Sequence, residues 1–361
     1  MKIIFIHLLN DFSGSTRVMS DIIDTCKIYN INFDLYYGKD GDGFLNNKIK
    51  NPYLFFYKRN NFKSLTLIFY LISQIMLFFR MLRYAKCDCK IYINTMLSFG
   101  PALAGKLMGK EIIFHVHETS LKPRLLKLFL KKIISITANK VIYVSQYLKN
   151  KENIKKLEST VIYNSLPDFL YSESINHIYS KNNNFNILMA CSLKDYKGVR
   201  EFIDIAKICS VEKSINFILI LNANDKEINK YFKNFDMPKN TKVLSKQPNL
   251  VPYYKNSQLV LNLSRVDQWI ETFGLTILEA MAFGIPVIAP PLGGPCEIIR
   301  EGKDGFLISS YDTSKIASTI LELAKNDNLC MELSKNCKNQ VKKFDSQTFK
   351  NNIIKIIGAN S

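Results

Sequence analysis

The sequence predicts two α/β domains in tandem, each built on a doubly wound parallel sheet. Three observations predict it. A chain of 361 residues fits two such domains better than one. Strand-like apolar runs alternate with helix-like stretches along most of its length, the rhythm of βαβ units. The rhythm breaks once, over Leu166–Asn184, where Pro167, several serines and a run of Lys and Asn stand together.

The elements follow in order. Lys2–His7 is an apolar run that enters the loop around Asn10–Gly14. It reads as a first strand more than as a signal peptide: it has one Lys, a short apolar part that contains His7, and no small-residue cleavage site, so no signal peptide is expected. Further strands are expected at Asn32–Tyr37, Lys90–Asn94, Glu111–His115, Lys140–Val144 and Thr160–Tyr163. Helices fill the gaps at Ser15–Cys26, Ser64–Ala85, Pro101–Met108, Pro123–Thr137 and Gln146–Lys151. After the break, strands are expected at Phe185–Ala190, Asn216–Leu221, Lys242–Leu244, Leu259–Leu263, Pro286–Ala289 and Gly305–Ile308. The tail from Thr313 reads as helical. The expected division is an N-terminal domain at 1–165, a linker at 166–184, a C-terminal domain at 185–343, and a terminal helix at 344–361 that can cross back to the first domain. Ligands in open α/β sheets bind at the C-terminal strand ends, so two such domains facing each other enclose a central cleft.

Composition narrows the function. The chain is 47% hydrophobic and 22% charged, enough for ample core. Its 49 basic and 31 acidic residues give a net charge of +18, which draws polyanions such as anionic lipid or phosphorylated substrates. No RNP-like motif, zinc finger or basic low-complexity arm is present, so no nucleic-acid partner is expected. The eight cysteines are scattered, and only Cys87 and Cys89 are close, which suits a reducing cytosol.

Glu271–Gly294 is the most informative stretch. Glu271 and Glu279 stand eight positions apart. Leu275–Phe283 has helical composition, so Glu279 is expected on a helix and Glu271 in the loop before it. A helix N-terminus suits a phosphate, and carboxylates on either side suit polyol hydroxyls. Phosphate in the middle with sugars at both ends describes a nucleotide-sugar. Two surface glutamates beside an ordinary turn would give the same spacing.

With the following AMAFGIPVIAPPLGGPCEII and GKDGFLI, the stretch resembles the retaining GT-B glycosyltransferases of family 4, of the bacterial surface-polysaccharide type. The resemblance is specific over Asn186–Ile308. It continues more weakly through Asp11–Arg17, His115–Glu118 and Val161–Ser165. It implies a GT-B fold of two Rossmann-like domains and sugar transfer from a nucleoside-diphosphate-sugar with retention, without metal or other cofactor. It also implies residue roles. Glu271 would hold the donor sugar, Glu279 the ribose, and Phe273, Gly274 and Leu275 would complete the donor contacts at the helix entry. Lys197 matches the lysine of the family's Lys-Gly pair, while Ser192 stands where the family has Arg; Lys194 can supply that charge, though not a bidentate fork. Two ammonium groups here would neutralise the leaving diphosphate. The loop after the first strand would lie against the diphosphate with Gly14 and Ser15, and Ser15 or Thr16 can cap the next helix. His117 with Glu118 matches a His-acid pair at the donor sugar and acceptor. Catalytic roles thus fall to His117, Glu271 and Lys197. Asn94, Asn164 and Glu297 are lesser candidates.

Two further features stand apart. His115 and His117 point to one face of a strand, without a third metal ligand at suitable spacing. Asp40-Gly41-Asp42 is an Asp-x-Asp within a glycine-rich turn, with no strand context for a metal. No metal residue is assigned.

Leu65–Phe79 is strongly apolar and flanked by Lys58, Arg59, Lys63, Arg80, Arg83 and Lys86. It falls short of the about 20 residues that span a bilayer and suits either a core helix or lipid contact. Lys122–Ile134 sets Lys127, Lys131 and Lys132 around a Leu/Phe/Ile stripe, the pattern of an interfacial helix on anionic lipid. The reading is therefore a cytoplasmic transferase, peripheral at the inner face of the membrane, that glycosylates a hydroxyl of a lipid-linked glycan. The rivals are a GT-B-like nucleotide-sugar epimerase and a non-catalytic binding protein at the membrane.

Overall fold

The structure is a computed structural model that describes residues 1–60, 62–154, 157–180 and 184–358. It divides into two compact units, Met1–Asn164 with Gln347–Ser361, and Ser165–Ser346. Residues 181–183 of the expected linker and 359–361 of the expected terminal helix lie outside the described residues.

The first unit runs β1 (Lys2–His7), α1 (Gly14–Ile28), β2 (Phe33–Gly38), β3 (Tyr53–Phe55), α2 (Lys63–Met81), β4 (Cys89–Asn94), α3 (Phe99–Leu107), β5 (Glu111–Val116), α4 (Arg124–Thr137), β6 (Lys140–Tyr143), α5 (Gln146–Glu152) and β7 (Glu158–Val161). The strands form one parallel sheet in the order β3-β2-β1-β4-β5-β6-β7. Its near-continuous apolar strands are those of a sheet covered on both faces. On one face Ile3, Phe5, Tyr92, Ile113 and Ile142 pack with Val18, Met19, Ile22 and Ile23 of α1. On the other lies α3, which packs between α2 and α4.

The second unit runs α6 (Asp168–Ile175), β8 (Phe185–Cys191), α7 (Val199–Cys209), β9 (Ile215–Leu221), α8 (Asp225–Phe232), β10 (Thr241–Leu244), α9 (Val251–Lys255), β11 (Leu259–Leu261), α10 (Leu275–Ala282), β12 (Val287–Ala289), α11 (Pro295–Ile298), β13 (Gly305–Leu307), α12 (Thr313–Lys325) and α13 (Asp327–Val341). Its sheet is also parallel, in the order β10-β9-β8-β11-β12-β13. The chain ends in α14 (Ser346–Ile357), whose Phe349, Ile353, Ile354 and Ile357 join the α1 side of the first unit's core.

Three expectations change in detail. The stretch read as a linker contains α6 and belongs to the second unit. Pro167 presets the extended entry to that helix, Asp168 favours its N-terminus, and Leu170 is buried. Strand β3 was not expected, because three residues after Asn51-Pro52 are too few to show a period. The last strand of the first unit starts at Glu158 instead of Thr160.

Candidate functional site

In the second unit the strand order reverses between β8 and β11. Open α/β sheets bind ligands at such a switch point, outside the C-terminal strand ends. The two loops that leave these strands carry Lys194–Lys197 and Arg265–Glu271, and they meet. Lys197 Nζ lies 2.8 Å from Glu271 Oε2. It also sits 5.5 Å from the ring centre of Trp269, which stacks on Tyr196 at 5.2 Å. Burial by itself would lower the Lys197 pKa, but the Glu271 carboxylate reverses that and leaves it raised. Lys197 therefore carries its charge at neutral pH. Lys194 is exposed at the start of the same turn.

Glu279 stands on α10, one turn past the N-terminus. Its Oε2 accepts a 2.8 Å hydrogen bond from the Tyr254 hydroxyl. Gly274 begins the helix with φ of 110°, and Leu275 is its first residue. The leading N–H groups of an α-helix have no partner within the helix and point outward along its axis. Phe273 is buried, with its ring edge on Phe344 at 5.8 Å, so its side chain serves the core and only its backbone is at the helix entry.

The Gly293-Gly294 pair explains how Glu271 is held. Gly294 N–H donates to the Glu271 carbonyl at 2.8 Å. A Cβ on Gly294 would stand 2.3 Å from Phe273 Cα, and one on Gly293, whose φ is 90°, would stand 2.3 Å from the Glu271 carbonyl oxygen. The loop after β12 thus closes against the backbone of residues 271–273, which only glycine allows.

The first unit repeats the arrangement. Its order reverses between β1 and β4. Asn94, at the end of β4, donates from Nδ2 to the Ser15 carbonyl at 2.9 Å and contacts His7. Its Oδ1 is 2.8 Å from His117 Nε2. Since the Ser15 bond fixes Nδ2 as the donor, Oδ1 accepts and His117 carries its proton on Nε2. Burial, reinforced by His115 and His7, pushes the His117 pKa well below its ordinary value, so the ring is neutral. His115 shares its face, with ring centres 4.3 Å apart, but its Nδ1 is bound to the Tyr92 hydroxyl inside the core. Burial drives its pKa down to about 3.

The helix after β1 starts at Gly14, with Ser13 in the capping position. Ser15 and Thr16 therefore lie inside the first turn and do not cap it. The Asp11 carboxylate folds over this end, accepting from Ser13 N–H at 3.0 Å and Thr16 Oγ1 at 2.8 Å. The Glu118 carboxylate is engaged by backbone amides. It accepts from the backbone N–H of Met96 and of His117, each at 3.3 Å, and so ties the loop after β4. Burial lifts its pKa to about 7 against the pull of those amides. Asp42 accepts from Asn46, and Gly43 lies against the Asp11 backbone, so the Asp-x-Asp turn is part of this loop cluster. Asn164 is buried, and Glu297 is in the first turn of α11.

Comparison with known proteins decides the second unit. Residues 172–343 match the family described as Glycosyl transferases group 1. This segment is a glycosyl transferases group 1 domain. The chain is 30% identical over 221 residues to an uncharacterized glycosyltransferase of Methanocaldococcus jannaschii, a match that covers 59% of this chain and 57% of that protein. It is 34% identical over 109 residues to N-acetyl-alpha-D-glucosaminyl L-malate synthase of Bacillus anthracis, covering 30% of this chain and 28% of that protein. The first of these relatives is thus matched over little more than half its length and the second over less than a third. Among solved structures, Anabaena HepE in complex with UDP and glucose superposes with a TM-score of 0.79 at 20% identity, over 100% of both chains. Sucrose-phosphate synthase from Thermosynechococcus elongatus gives 0.76 at 15% identity, over 99% of this chain and 98% of that one. At these identities the likeness shows the fold: two parallel-sheet, Rossmann-like units of the GT-B type.

Around the group 1 domain's switch point, three residues escaped the sequence reading. Trp269 and Tyr196 flank Lys197, and Arg265 grips Glu201 through Nε at 2.7 Å and a terminal nitrogen at 2.6 Å. Trp269 is the only tryptophan of the chain, a signal that could have drawn attention. The Arg265–Glu201 and Tyr254–Glu279 pairs leave no trace in spacing, since the partners come from different βα units.

Proposed function

We propose that the protein is a retaining glycosyltransferase that moves a sugar from a nucleoside-diphosphate-sugar to a hydroxyl of a lipid-linked glycan in surface-polysaccharide synthesis. The observation that carries this reading is the Lys197–Glu271 pair at the switch point of a glycosyl transferases group 1 domain, with Glu279 one turn into the next helix. In this reading α10 offers its leading N–H groups to the diphosphate, and Glu279 takes the ribose hydroxyls in place of Tyr254. Lys197 and Lys194 balance the charge of the leaving diphosphate. Glu271, released from Lys197, holds the donor sugar hydroxyls.

In the first unit, Gly14 and Ser15 offer helix N-terminal amides to phosphate. His117, kept neutral with its proton on Nε2 directed at Asn94, serves as a hydrogen-bonding group for sugar. The bond from the anomeric carbon to the diphosphate oxygen breaks as the acceptor oxygen bonds on the same face. The acceptor proton passes to the departing diphosphate, so retention needs no protein base and no metal ion. The enzyme works in the cytoplasm, at the inner face of the membrane.

UDP-glucose, present in one of the HepE complexes, is the first donor to try. Incubation of the purified chain with nucleotide-sugars and a lipid-linked or short synthetic glycan tests the reading. It predicts an acceptor-dependent release of nucleoside diphosphate, an α-linked product from an α-donor, and activity that persists in excess chelator. Conversion of the nucleotide-sugar with no acceptor, or an inverted linkage, would overturn it.

A further inference from the structure

Helix α2 is turned inside out. Its buried side is Tyr70, Ser73, Gln74, Leu77 and Met81, so three amide- or hydroxyl-bearing side chains face the protein. Its outer side is Leu65, Ile68, Leu71, Ile72, Ile75 and Phe79, with Ile75 58% and Phe79 65% exposed. Water-facing helices place these classes the other way round. Unpartnered apolar surface on this scale marks a surface for a partner.

The inner side is a fitted contact. Gln74 Oε1 accepts from the Gly100 N–H at 3.1 Å, and a Cβ on Gly100 would stand 2.0 Å from the Gln74 carbonyl oxygen. Helix α2 therefore lies closely on α3. An aromatic chain continues across the layer: Tyr70 of α2 meets Phe99 of α3 at 5.8 Å, and Phe99 meets Phe129 of α4 at 5.2 Å. On α4 exposed apolar residues stand beside the exposed Arg124 and Lys132, with Leu125 80% exposed and Leu128 52%.

The charge that flanks α2 along the sequence has one sign. Between Asp42 and Asp88 the sequence holds no Asp or Glu. Lys58, Arg59 and Lys63 stand before or at the start of α2, and Arg80, Arg83 and Lys86 at or beyond its end. Arg80 donates to the Leu54 carbonyl at 2.7 Å, and Arg83 lies over the Tyr53 ring at 4.7 Å. Those contacts fix the two guanidinium groups in place, and among the described residues no ion pair neutralises either.

We infer that the outer side of α2, with the exposed leucines of α4, lies in the interfacial layer of an anionic membrane, and that the protein meets its acceptor there. The inference rests on the lipid-linked acceptor proposed above, and it adds the surface that docks. An apolar stripe between two basic ends fits acyl chains below and anionic headgroups beside them. Lys63–Tyr84 is long and apolar enough to cross a bilayer, with a mean hydropathy of 1.9. Its fit to α3 through Gln74 argues for lying flat, because crossing would bare Ser73 and Gln74 to hydrocarbon. A second copy of the chain would bury the apolar stripe equally well, but would bring the same positive charge against itself.

Flotation of the purified full chain with vesicles tests this. Wild type is expected to float with phosphatidylcholine–phosphatidylglycerol vesicles, less with phosphatidylcholine alone, and less at high salt. The double variant Ile68→Ser, Ile75→Ser should partition about 100-fold more weakly. Lys63→Ala with Lys86→Ala should weaken binding about 30-fold, and only to the anionic vesicles. UDP affinity and Tm should match wild type in both, since these side chains are exposed and outside the proposed donor site. Flotation unchanged in both variants would overturn the inference. So would a wild-type dimer on size exclusion that the isoleucine variant splits. Loss of UDP binding in wild type with flotation intact would instead count against the proposed reaction and leave the docking surface standing.

Discussion

Lys197 and Glu271, 74 positions apart in sequence, join the two loops at the switch point of the second sheet through a 2.8 Å ion pair. In the absence of donor each neutralises the other. A diphosphate and this carboxylate would compete for one ammonium group. The two ends of the pair should therefore respond differently to removal. Lys197→Ala should weaken UDP binding about 10–100-fold, the loss of one charge-assisted contact. Glu271→Gln should bind UDP at least as well as wild type, because the competitor is gone, yet lose about 100-fold or more in turnover. Calorimetric UDP titration beside steady-state rates checks both. Equal loss of UDP affinity in the two variants would mean that Glu271 belongs to the diphosphate site and not to the sugar.

The Gly293-Gly294 loop makes a second, independent test of how Glu271 is placed. Gly294→Ala sets a methyl 2.3 Å from a backbone atom of Phe273, where no side chain can yield. The loop must shift, at a cost of about 1–3 kcal/mol. A fall in Tm should accompany a loss of turnover larger than the loss of UDP affinity, as Glu271 moves and Glu279 on α10 does not.

Much of this was legible in the sequence. The strands of the second sheet and the helical setting of Glu279 follow from apolar runs punctuated by Gly and Pro. Glu271, Lys197 and Glu279 were singled out from the glycines and the helix start near them together with the family resemblance, and the structure places Lys197 beside Glu271 and Glu279 on α10. What was hidden depends on distant partners. Nothing in the spacing shows that Asn94 would bridge Ser15 and His117, or that Tyr254 would hold Glu279. The basic stripe of α4 misled for the same reason. Lys127 and Lys131 were expected to rest on lipid, yet their ammonium groups reach Glu152 at 2.6 and 3.3 Å, and Glu152 is only 1% exposed.

That correction is itself testable. Replacing Lys127 and Lys131 with Glu would leave Glu152 buried among like charges, a loss of about 3–5 kcal/mol in the stability of the first unit. Lys132 is exposed, and Lys132→Glu should stay within about 0.5 kcal/mol of wild type. Thermal unfolding of the two variants separates a structural ion cluster from a solvated basic face. Equal Tm values would return these lysines to the lipid surface.

Glu118 predicts a pH dependence. Its pKa is about 7 in the folded protein against an ordinary 4.5. Between those values the folded chain holds a proton that the unfolded chain has released. Its contribution to stability is therefore complete below about pH 4.5 and is lost as pH rises through about 7. Glu118→Gln keeps an oxygen for the Met96 and His117 amides and cannot ionise. The variant's Tm should fall less than that of wild type across this interval. Parallel Tm curves would place the proton elsewhere.

The central claim is that the second unit holds a nucleotide-sugar, with Glu279 on its ribose. Titration of wild type and Glu279→Ala with UDP, UDP-glucose and other nucleotide-sugars, followed by calorimetry and by the fluorescence of Trp269 beside Lys197, tests it most directly. The account predicts one site in wild type, a fluorescence change on binding, and affinity about 10–100-fold weaker in Glu279→Ala, the equivalent of about 1.5–3 kcal/mol. Failure of every nucleotide-sugar to bind wild type, or equal affinity in the variant, would contradict it.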